Sequence, residues 1–273
     1  MRKFLGIFIG ILVVLCLCGC INSNKETVKE EKITLAGGTA LVPIMEEAGK
    51  EFMKKHPNVK VIVSGGGSGF GIKQVGEGYV DIGMAGRDLK PEEKEKYPNL
   101  KVYRIGYDGV AIVVNPKNPI DGLTKEQVKK IFAGEITNWK EVGGKDAPIN
   151  IYTRDPESGT RDTFWRLVLD KGNITKKAIV VASNGEMKAK IAMDENGIGY
   201  LSVGYVDKSV KAIKLDGIAP TQENVMKGIY KVYRPLNLIT NGEPKGVVKE
   251  FIDFVLSDEG QKIVEEKGFI PVK

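Results

Sequence analysis

The sequence is poor in cysteine and histidine. Its only cysteines are Cys16, Cys18 and Cys20, and its only histidine is His56. No disulfide can therefore hold the chain together beyond residue 20, and a thiol or zinc site there is disfavoured. His56 stands before Pro57 at the end of a charged segment, which indicates a surface residue. We expect no bound metal and no cofactor.

Several functional signatures are also missing. The glycine-rich run Gly65–Gly71 reads G-G-G-S-G-F-G, which is not a dinucleotide fingerprint, and Lys73 does not stand in a G-K-[ST] phosphate loop. Ser158 lacks the G-x-S-x-G elbow of serine hydrolases. The formal net charge of +6 is too mild and too evenly spread to indicate nucleic-acid binding. These absences disfavour nucleotide-dependent and hydrolytic enzymes and argue against a nucleic-acid partner.

Long apolar runs are scarce, and the clearest one lies at the start of the chain. Arg2 and Lys3 precede the apolar run from Phe4 to Leu17, which is short for a bilayer span but typical of a signal peptide. Gly19 directly before Cys20 indicates a lipoprotein processing site. We therefore expect a signal peptide over residues 1–20 ending at a lipid-modified Cys20, with a polar tether over 21–32. An uncut anchor helix is the alternative, and both place the domain outside the cytoplasmic membrane.

The rest of the chain alternates short apolar strands with amphipathic helices. This alternation is typical of α/β proteins with mainly parallel sheets flanked by helices. We predict two lobes, residues 33–108 with 235–273 and residues 109–234, joined by two crossing strands near 107–111 and 233–236. Ligands of such sheets bind beyond the carboxyl ends of strands, so the loops 37–40, 64–69, 85–88 and 154–161 are expected to converge.

Some elements carry explicit boundary signals. The first strand is predicted from Ile33, a helix over 69–78 capped by Ser68, and an apolar strand over 110–114. Thr124 with Gln127, and Ser183 with Glu186, have the spacing of capped helix starts. Two terminal helices over 245–266 are predicted to break near Gly260.

The segment Arg154–Phe164 reads R-D-P-E-S-G-T-R-D-T-F and joins a strand to a helix. Ser158 to Thr160 form a small first turn whose free N–H groups and positive dipole end suit an oxyanion, and Arg154 and Arg161 add positive charge. The loops at Thr39 and Ser68 share this strand, glycine, hydroxyl and helix pattern. One such joint is usually an ordinary helix cap, but three together with two arginines predict a site for a small tetrahedral anion.

Segments spread over nearly the whole chain beyond the leader resemble one known family. They are A-G-G-T-A from Ala36, G-G-G-S-G-F-G from Gly65, D-I-G-M-A-G-R from Asp81, F-A-G-E-I-T-N-W from Phe132, the motif from Arg154, R-P-L from Arg234 and S-D-E-G-Q from Ser257. Together they resemble the PstS-like phosphate-binding lipoproteins of phosphate ABC importers, which have the two-lobed type II periplasmic-binding-protein fold with two hinge strands.

The resemblance implies the anion contacts. They fall on Thr39, Ala40, Ser68, Arg154, Ser158, Gly159 and Thr160, with Gly86, Arg87, Asp88 and Arg161 as weaker candidates. Well-known members place an aspartate in the third loop to accept the phosphate proton, whereas this chain aligns Gly86 there and looks more like the shorter branch of the family. Rejection of sulfate by a carboxylate is therefore not implied.

The expected function is that of a lipid-anchored, monomeric phosphate-binding protein outside the cytoplasmic membrane. It would close its lobes over inorganic phosphate and dock on an ABC permease, with no catalytic activity. Three alternatives stay open at this point. They are a binding protein for sulfate, arsenate or a phosphonate, a secreted phosphoester hydrolase that uses Ser158, and an anion-responsive surface protein without a permease.

Overall fold

A computed structural model describes residues 30–273. The predicted signal peptide, Cys20 and most of the tether lie outside these residues. Among residues 30–273, no helix is long and apolar enough to cross a membrane. The described strands are β1 Glu31–Gly37, β2 Val59–Ser64, β3 Ile82–Ala85, β4 Leu100–Val114, β5 Gly122–Leu123, β6 Asn150–Arg154, β7 Ile179–Val181, β8 Gly197–Ser202, β9 Lys211–Ala212, β10 Lys214–Leu215, β11 Tyr233–Asn241 and β12 Ile270–Pro271.

Helices alternate with these strands, as the sequence pattern predicts. They are α1 Val42–Lys55, α2 Ser68–Gly76, α3 Pro91–Lys96, α4 Lys125–Ala133, α5 Gly159–Leu167, α6 Asn184–Met193, α7 Gln222–Met226, α8 Gly246–Leu256 and α9 Asp258–Glu266. Short 3-10 turns cover Trp139–Val142 and Val203–Tyr205.

The main sheet runs in the order β2-β1-β3-β11-β4-β8-β6-β7, and β9 and β12 add to β4. The strands β2, β1 and β3 are parallel, and so are β8, β6 and β7. The two long strands between these groups, β11 and β4, run antiparallel to their neighbours. The mainly parallel α/β fold is thus confirmed, and the antiparallel pair joins its two halves.

Strand β4 changes partner in the middle. Its first part, up to Gly109, pairs with β11, and the part from Val110 to Val114 pairs with β8. Apolar side chains form separate clusters on the two sides of this change. One includes Leu35, Phe52 and Phe251, and another includes Phe132, Phe164 and Tyr200. Each half of the sheet therefore has its own core, and we call the half with β1 to β3 the first lobe and the half with β6 to β8 the second lobe.

Several predicted element boundaries are wrong, most of all the start of β4. β1 begins at Glu31 rather than Ile33 because Glu31 and Lys32 already pair with β2. β4 begins at Leu100, far before the predicted residue 110, because its first part pairs with the distant β11. The last two helices break at Ser257, whose hydroxyl accepts from the Gly260 N–H at 3.3 Å, and not at Gly260.

Gly260 lies in the first turn of α9 and has a packing role. A Cβ there would lie 2.2 Å from the Phe254 carbonyl oxygen and 2.4 Å from that of Val255. The glycine therefore permits the close approach of α8 and α9, and it does not end a helix.

Helix starts were predicted with mixed success. Thr124 and Gln127 form the predicted capping box of α4, and Ser183 accepts from the Glu186 N–H at 2.9 Å to cap α6, so both are confirmed. The predicted cap Ser68 is wrong. Gly67 occupies the N-cap of α2, and the Ser68 hydroxyl accepts from the Gly86 N–H at 2.9 Å. Ser68 thus bonds another loop instead of its own helix.

Candidate anion-binding site

Three helix starts, the ends of two strands and the start of a third meet around a small cavity, which we call the central cavity. The lining comes from the loop before α1, the start of α2, the end of β3, the β6–α5 joint and β11. The lining residues are Gly38, Thr39, Ala40, Gly67, Ser68, Gly86, Arg154, Ser158, Gly159, Thr160 and Arg234.

Helix α5 begins at the cavity because Ser158 caps it. Its side chain accepts from the Arg161 N–H at 3.2 Å, and Gly159 and Thr160 form the first turn. The first N–H groups of a helix have no partner inside it, so this turn presents backbone donors and the positive end of the helix dipole. Gly159 has to lack a side chain, since a Cβ there would lie 2.3 Å from Ser68 Oγ.

Arg154 ends β6 with its guanidinium buried at the cavity, and the residue is only 2% exposed. Its Nη2 donates to the Ala182 carbonyl at 2.9 Å, whereas Nε and Nη1 are buried without a hydrogen-bond partner. Burial lowers the pKa of Arg154, and the positive charge of Arg234 acts in the same direction. A buried cation with unpaired donors is costly unless an anion compensates it.

The backbone of Arg154 is held by the strand next to it. Its N–H donates to the Tyr200 hydroxyl at 3.0 Å, and the Tyr200 ring stacks on Phe164 of α5 with centroids 4.0 Å apart. Tyr200 therefore fixes the strand that carries the arginine and the helix that carries the donors at the same point.

Four hydroxyls surround the cavity, and each already accepts a hydrogen bond from the protein. Thr39 Oγ1 accepts from the backbone and side-chain N–H groups of Asn184, at 3.3 and 3.0 Å. Thr160 Oγ1 accepts from Arg234 Nη1 at 2.8 Å and from Asn184 Nδ2 at 3.4 Å. Ser68 and Ser158 accept from backbone N–H groups. Each of the four accepts from the protein and donates to no protein group in the described part of the chain, so each has a hydroxyl hydrogen to donate to a ligand.

Two contributors to this arrangement, Arg234 and Asn184, were not predicted as site residues. Arg234 donates through Nε and Nη2 to Asp108 Oδ2 at 3.1 and 2.8 Å, and both residues are buried. Burial raises the pKa of Asp108, and the Arg234 charge opposes that rise. The Asn184 amide oxygen accepts from the Ser202 N–H at 3.1 Å, which orients its NH₂ group towards both threonines.

The structure places the seven principal predicted residues together around the central cavity, along with Gly86. The other weaker candidates have different surroundings. Arg87 forms a bidentate ion pair with Glu93, and Asp88 pairs with Arg104 at the surface. Arg161 follows the cavity-lining turn and does not line the cavity. The R-P-L segment was the one sequence feature that pointed to Arg234. Its contact with Thr160 could not be predicted, because the two residues are far apart in the sequence.

Residues 30–273 contain no group of three or more His, Cys, Asp or Glu side chains placed to hold a metal ion. His56 ends α1, stacks on Phe52 with ring centroids 4.0 Å apart, and lies 3.8 Å from a Glu250 oxygen. The central cavity is lined by hydrogen-bond donors and by the guanidinium groups of Arg154 and Arg234, an arrangement suited to binding an anion.

Comparison with known proteins gives the same family from sequence and from structure. The family model described as a PBP superfamily domain matches residues 22–259. The phosphate-binding protein PstS of Bacillus subtilis is 39% identical over 92% of this chain and 86% of its own length. PstS of Borreliella burgdorferi is 34% identical over the full length of both proteins.

Solved structures agree with these relatives. A crystal structure from Clostridium perfringens, described as a phosphate ABC transporter substrate-binding protein with bound phosphate, is 42% identical with a TM-score of 0.84. It covers 89% of this chain and 100% of its own. An ABC-type phosphate transport receptor from Vibrio cholerae is 37% identical with a TM-score of 0.72, covering 87% of this chain and 99% of its own. The chain therefore belongs to the PBP superfamily, as a member of its PstS-like phosphate-binding family.

Proposed function

We propose that this protein binds inorganic phosphate outside the cytoplasmic membrane and delivers it to an ABC permease, without catalysing a reaction. The observation that carries the proposal is Arg154, whose buried guanidinium has two nitrogens without partners at a cavity lined by hydroxyl and backbone donors. Relatives that are 39% and 42% identical are described as phosphate-binding proteins, one of them with phosphate bound.

Hydrogen-bond energetics support tight binding of a small anion. A hydrogen bond to a charged group contributes about 1.5 to 3 kcal/mol net. Helix α5 adds a favourable dipole, and Ser68, Arg154 and Ser158 are buried, so solvent screens these contributions less than it would at the surface. Closure of the two lobes around the anion follows the hinge motion of periplasmic binding proteins.

We infer that the protein acts outside the cytoplasmic membrane from its predicted signal peptide, residues 1–20, and from its family. A lipid on Cys20 would hold the domain at the outer face of the membrane, and residues 21–32 would form the tether between the lipid and the domain. We propose that the protein acts as a monomer there and presents its closed form to the permease. Mass spectrometry of the N-terminal peptide tests the anchor, since an unmodified, uncleaved chain would contradict it.

A phosphoester hydrolase is disfavoured by the surroundings of Ser158. Its hydroxyl caps α5, it lines the central cavity together with Arg154, and no histidine or carboxylate in the described part of the chain bonds to it. His56, the only histidine in the sequence, stacks on Phe52 at the end of α1. A serine nucleophile needs an adjacent base, and none is found beside Ser158 in the described part of the chain.

Titration calorimetry with phosphate tests the proposal. We expect wild-type binding at micromolar phosphate or below, and a loss of about 100-fold or more in Arg154→Gln because two hydrogen bonds to the anion disappear. Arg161→Gln is the matched control from the first turn of α5, outside the cavity lining, and should change the affinity by less than about threefold. Wild-type protein that ignores phosphate, or an unaffected Arg154→Gln variant, would refute phosphate binding.

The remaining alternatives need their own measurements. Competition by sulfate, arsenate and phosphonates ranks the other tetrahedral anions against phosphate. Genes for a permease and an ATPase beside this one would favour transport over an anion-responsive signalling role. Turnover of a phosphoester that disappears in Ser158→Ala would instead show a hydrolase.

A further inference from the structure

Asn184 lies behind the wall of the central cavity and joins the two lobes. It begins α6 in the second lobe, is fully buried, and does not line the cavity. Its Nδ2 donates to Oγ1 of Thr39 in the first lobe at 3.0 Å and to Oγ1 of Thr160 in the second lobe at 3.4 Å. A single amide group therefore contacts one cavity hydroxyl from each lobe.

The orientation of this amide follows from its other contact. Asn184 Oδ1 accepts from the Ser202 backbone N–H at 3.1 Å, and a backbone N–H can only donate, so the NH₂ group must point to the threonines. The backbone N–H of Asn184 also donates to Thr39 Oγ1, and Arg234 Nη1 donates to Thr160 Oγ1. In the described part of the chain, every protein group bonded to these two hydroxyls is thus a donor. Neither hydroxyl hydrogen has a protein acceptor to turn to.

Thr39 belongs to the first lobe but is held by the second. Its hydroxyl accepts both bonds from Asn184, and its carbonyl accepts from the Tyr205 hydroxyl at 2.6 Å. Within residues 30–273, no group of the first lobe donates to Thr39 Oγ1. The donors that fix the direction of this hydroxyl therefore reach it only when the two lobes are together.

We propose that Asn184 is a positioning residue that couples closure of the lobes to the direction of the Thr39 and Thr160 hydroxyls. The inference rests on the proposed function, because it concerns how the same cavity holds phosphate. In the closed form the amide makes Thr39 a donor towards the anion, whereas in the open form this hydroxyl exchanges hydrogen bonds with water. An anion that takes the hydroxyl hydrogens therefore stabilises the closed form relative to the open form.

Reversing the polarity of the amide tests this assignment. Asn184→Asp keeps the shape of the side chain but replaces the NH₂ donor with an oxygen that accepts. The two threonine hydroxyls would then donate to the carboxylate, which with the Ser202 N–H gives it three donors, and would be lost to the anion. We expect Asn184→Asp to weaken phosphate binding by about 100-fold or more. Asn184→Ala leaves the hydroxyls free to rotate and should weaken binding by only about tenfold.

A double-mutant cycle with Thr39→Val separates hydroxyl direction from general damage. In the wild-type chain this change removes a donor to the anion and should weaken phosphate binding by about tenfold. In the Asn184→Asp background the hydroxyl already points away, so Thr39→Val should cost less than about threefold more. A purely structural role of Asn184 predicts the same cost of Thr39→Val in both backgrounds.

Asn115→Asp is the matched control. Asn115 is a buried asparagine outside the cavity lining, whose Nδ2 donates to the Ile191 and Ala192 carbonyls at 3.1 and 2.9 Å and whose Oδ1 accepts from the Lys117 N–H at 3.0 Å. Carbonyls cannot become donors, so denaturant unfolding should show a larger loss of stability in Asn115→Asp than in Asn184→Asp. Its phosphate affinity should nevertheless stay within about threefold of the wild type.

The experiment is calorimetry and stopped-flow kinetics with phosphate on the full chain and these variants. In Asn184→Ala the loss of affinity should appear mainly as faster dissociation, because the closed form is less populated. Unchanged dissociation in Asn184→Ala would overturn the inference, and this arm carries the test if Asn184→Asp does not fold. An equal cost of Thr39→Val in both backgrounds would also overturn it and leave phosphate binding intact. Wild-type protein that ignores phosphate would overturn the proposed function instead.

Discussion

Gly159 shows how one missing side chain determines the site. A Cβ at this position would lie 2.3 Å from Ser68 Oγ and 3.0 Å from the Gly86 carbonyl oxygen. Ser68 and Gly86 belong to the first lobe, and Gly159 begins α5 in the second. The glycine therefore permits the contact between two helix starts, and that contact places both helix starts at the central cavity.

We predict that Gly159→Ala separates the two helix starts and weakens phosphate binding by at least about tenfold, equivalent to about 1.4 kcal/mol. Calorimetry measures the affinity. Gly185→Ala is the matched control, because Gly185 also lies in the first turn of a helix and its added Cβ would meet nothing closer than 3.7 Å. Equal effects of the two substitutions would show that the close contact is unimportant.

Among single residues, the sequence predicts the cavity donors that lie within one loop motif. It misses those that come from other parts of the chain. The loops at Thr39, Ser68 and Ser158 are recognisable because hydroxyl, glycine and helix start are adjacent in the chain. Arg234 is 74 residues from Thr160, and Asn184 is 145 residues from Thr39. Their roles depend on how the strands are ordered, which the local pattern does not contain.

At the scale of elements, helix caps were the most predictable feature and strand lengths the least. A cap depends on a few neighbouring residues, as in the box of Thr124 and Gln127. The first part of β4 mixes charged with apolar residues and is partly exposed, and it forms a strand because β11 pairs with it. The helix start at Ser68 was misassigned because its hydroxyl bonds the Gly86 N–H of another loop.

Two caps with the same local chemistry should differ in their effect on binding. Thr124→Ala removes the cap of α4, which is remote from the central cavity, and Ser183→Ala removes the cap of α6, whose first residue is Asn184. We expect each to lower the free energy of unfolding by about 1 kcal/mol. Only Ser183→Ala should also weaken phosphate binding, because it loosens the amide that orients Thr39 and Thr160.

Denaturant unfolding and calorimetry on both variants check this pair of outcomes. Thr124→Ala is the control for Ser183→Ala, because it shows how much a loss of stability alone changes the affinity for phosphate. If both caps affected binding equally, the Asn184 contacts would not be responsible.

At the scale of the whole molecule, polar contacts join the two lobes around the cavity. The Tyr205 hydroxyl donates to the Thr39 carbonyl at 2.6 Å, and the Gly69 N–H donates to the Glu157 carbonyl at 3.0 Å. Burial raises the pKa of Tyr205 to about 12, so the phenol keeps its proton and remains a donor until the pH rises through that value. These contacts stabilise a closed arrangement, in which the donors of both lobes reach the same point.

Tyr205→Phe removes one of these closing contacts without touching the lining of the cavity. A neutral hydrogen bond contributes about 1 kcal/mol net, so we expect phosphate affinity to fall about fivefold. The loss should appear mainly as faster dissociation, because the open form still captures the anion while the closed form is less populated. Stopped-flow kinetics measure both rates. Tyr152→Phe removes a similar bond, from Tyr152 to Asp194 inside the second lobe at 2.9 Å, and should leave both rates unchanged. A slower association in Tyr205→Phe with normal dissociation would instead mean that this hydroxyl acts before closure, during capture of the anion.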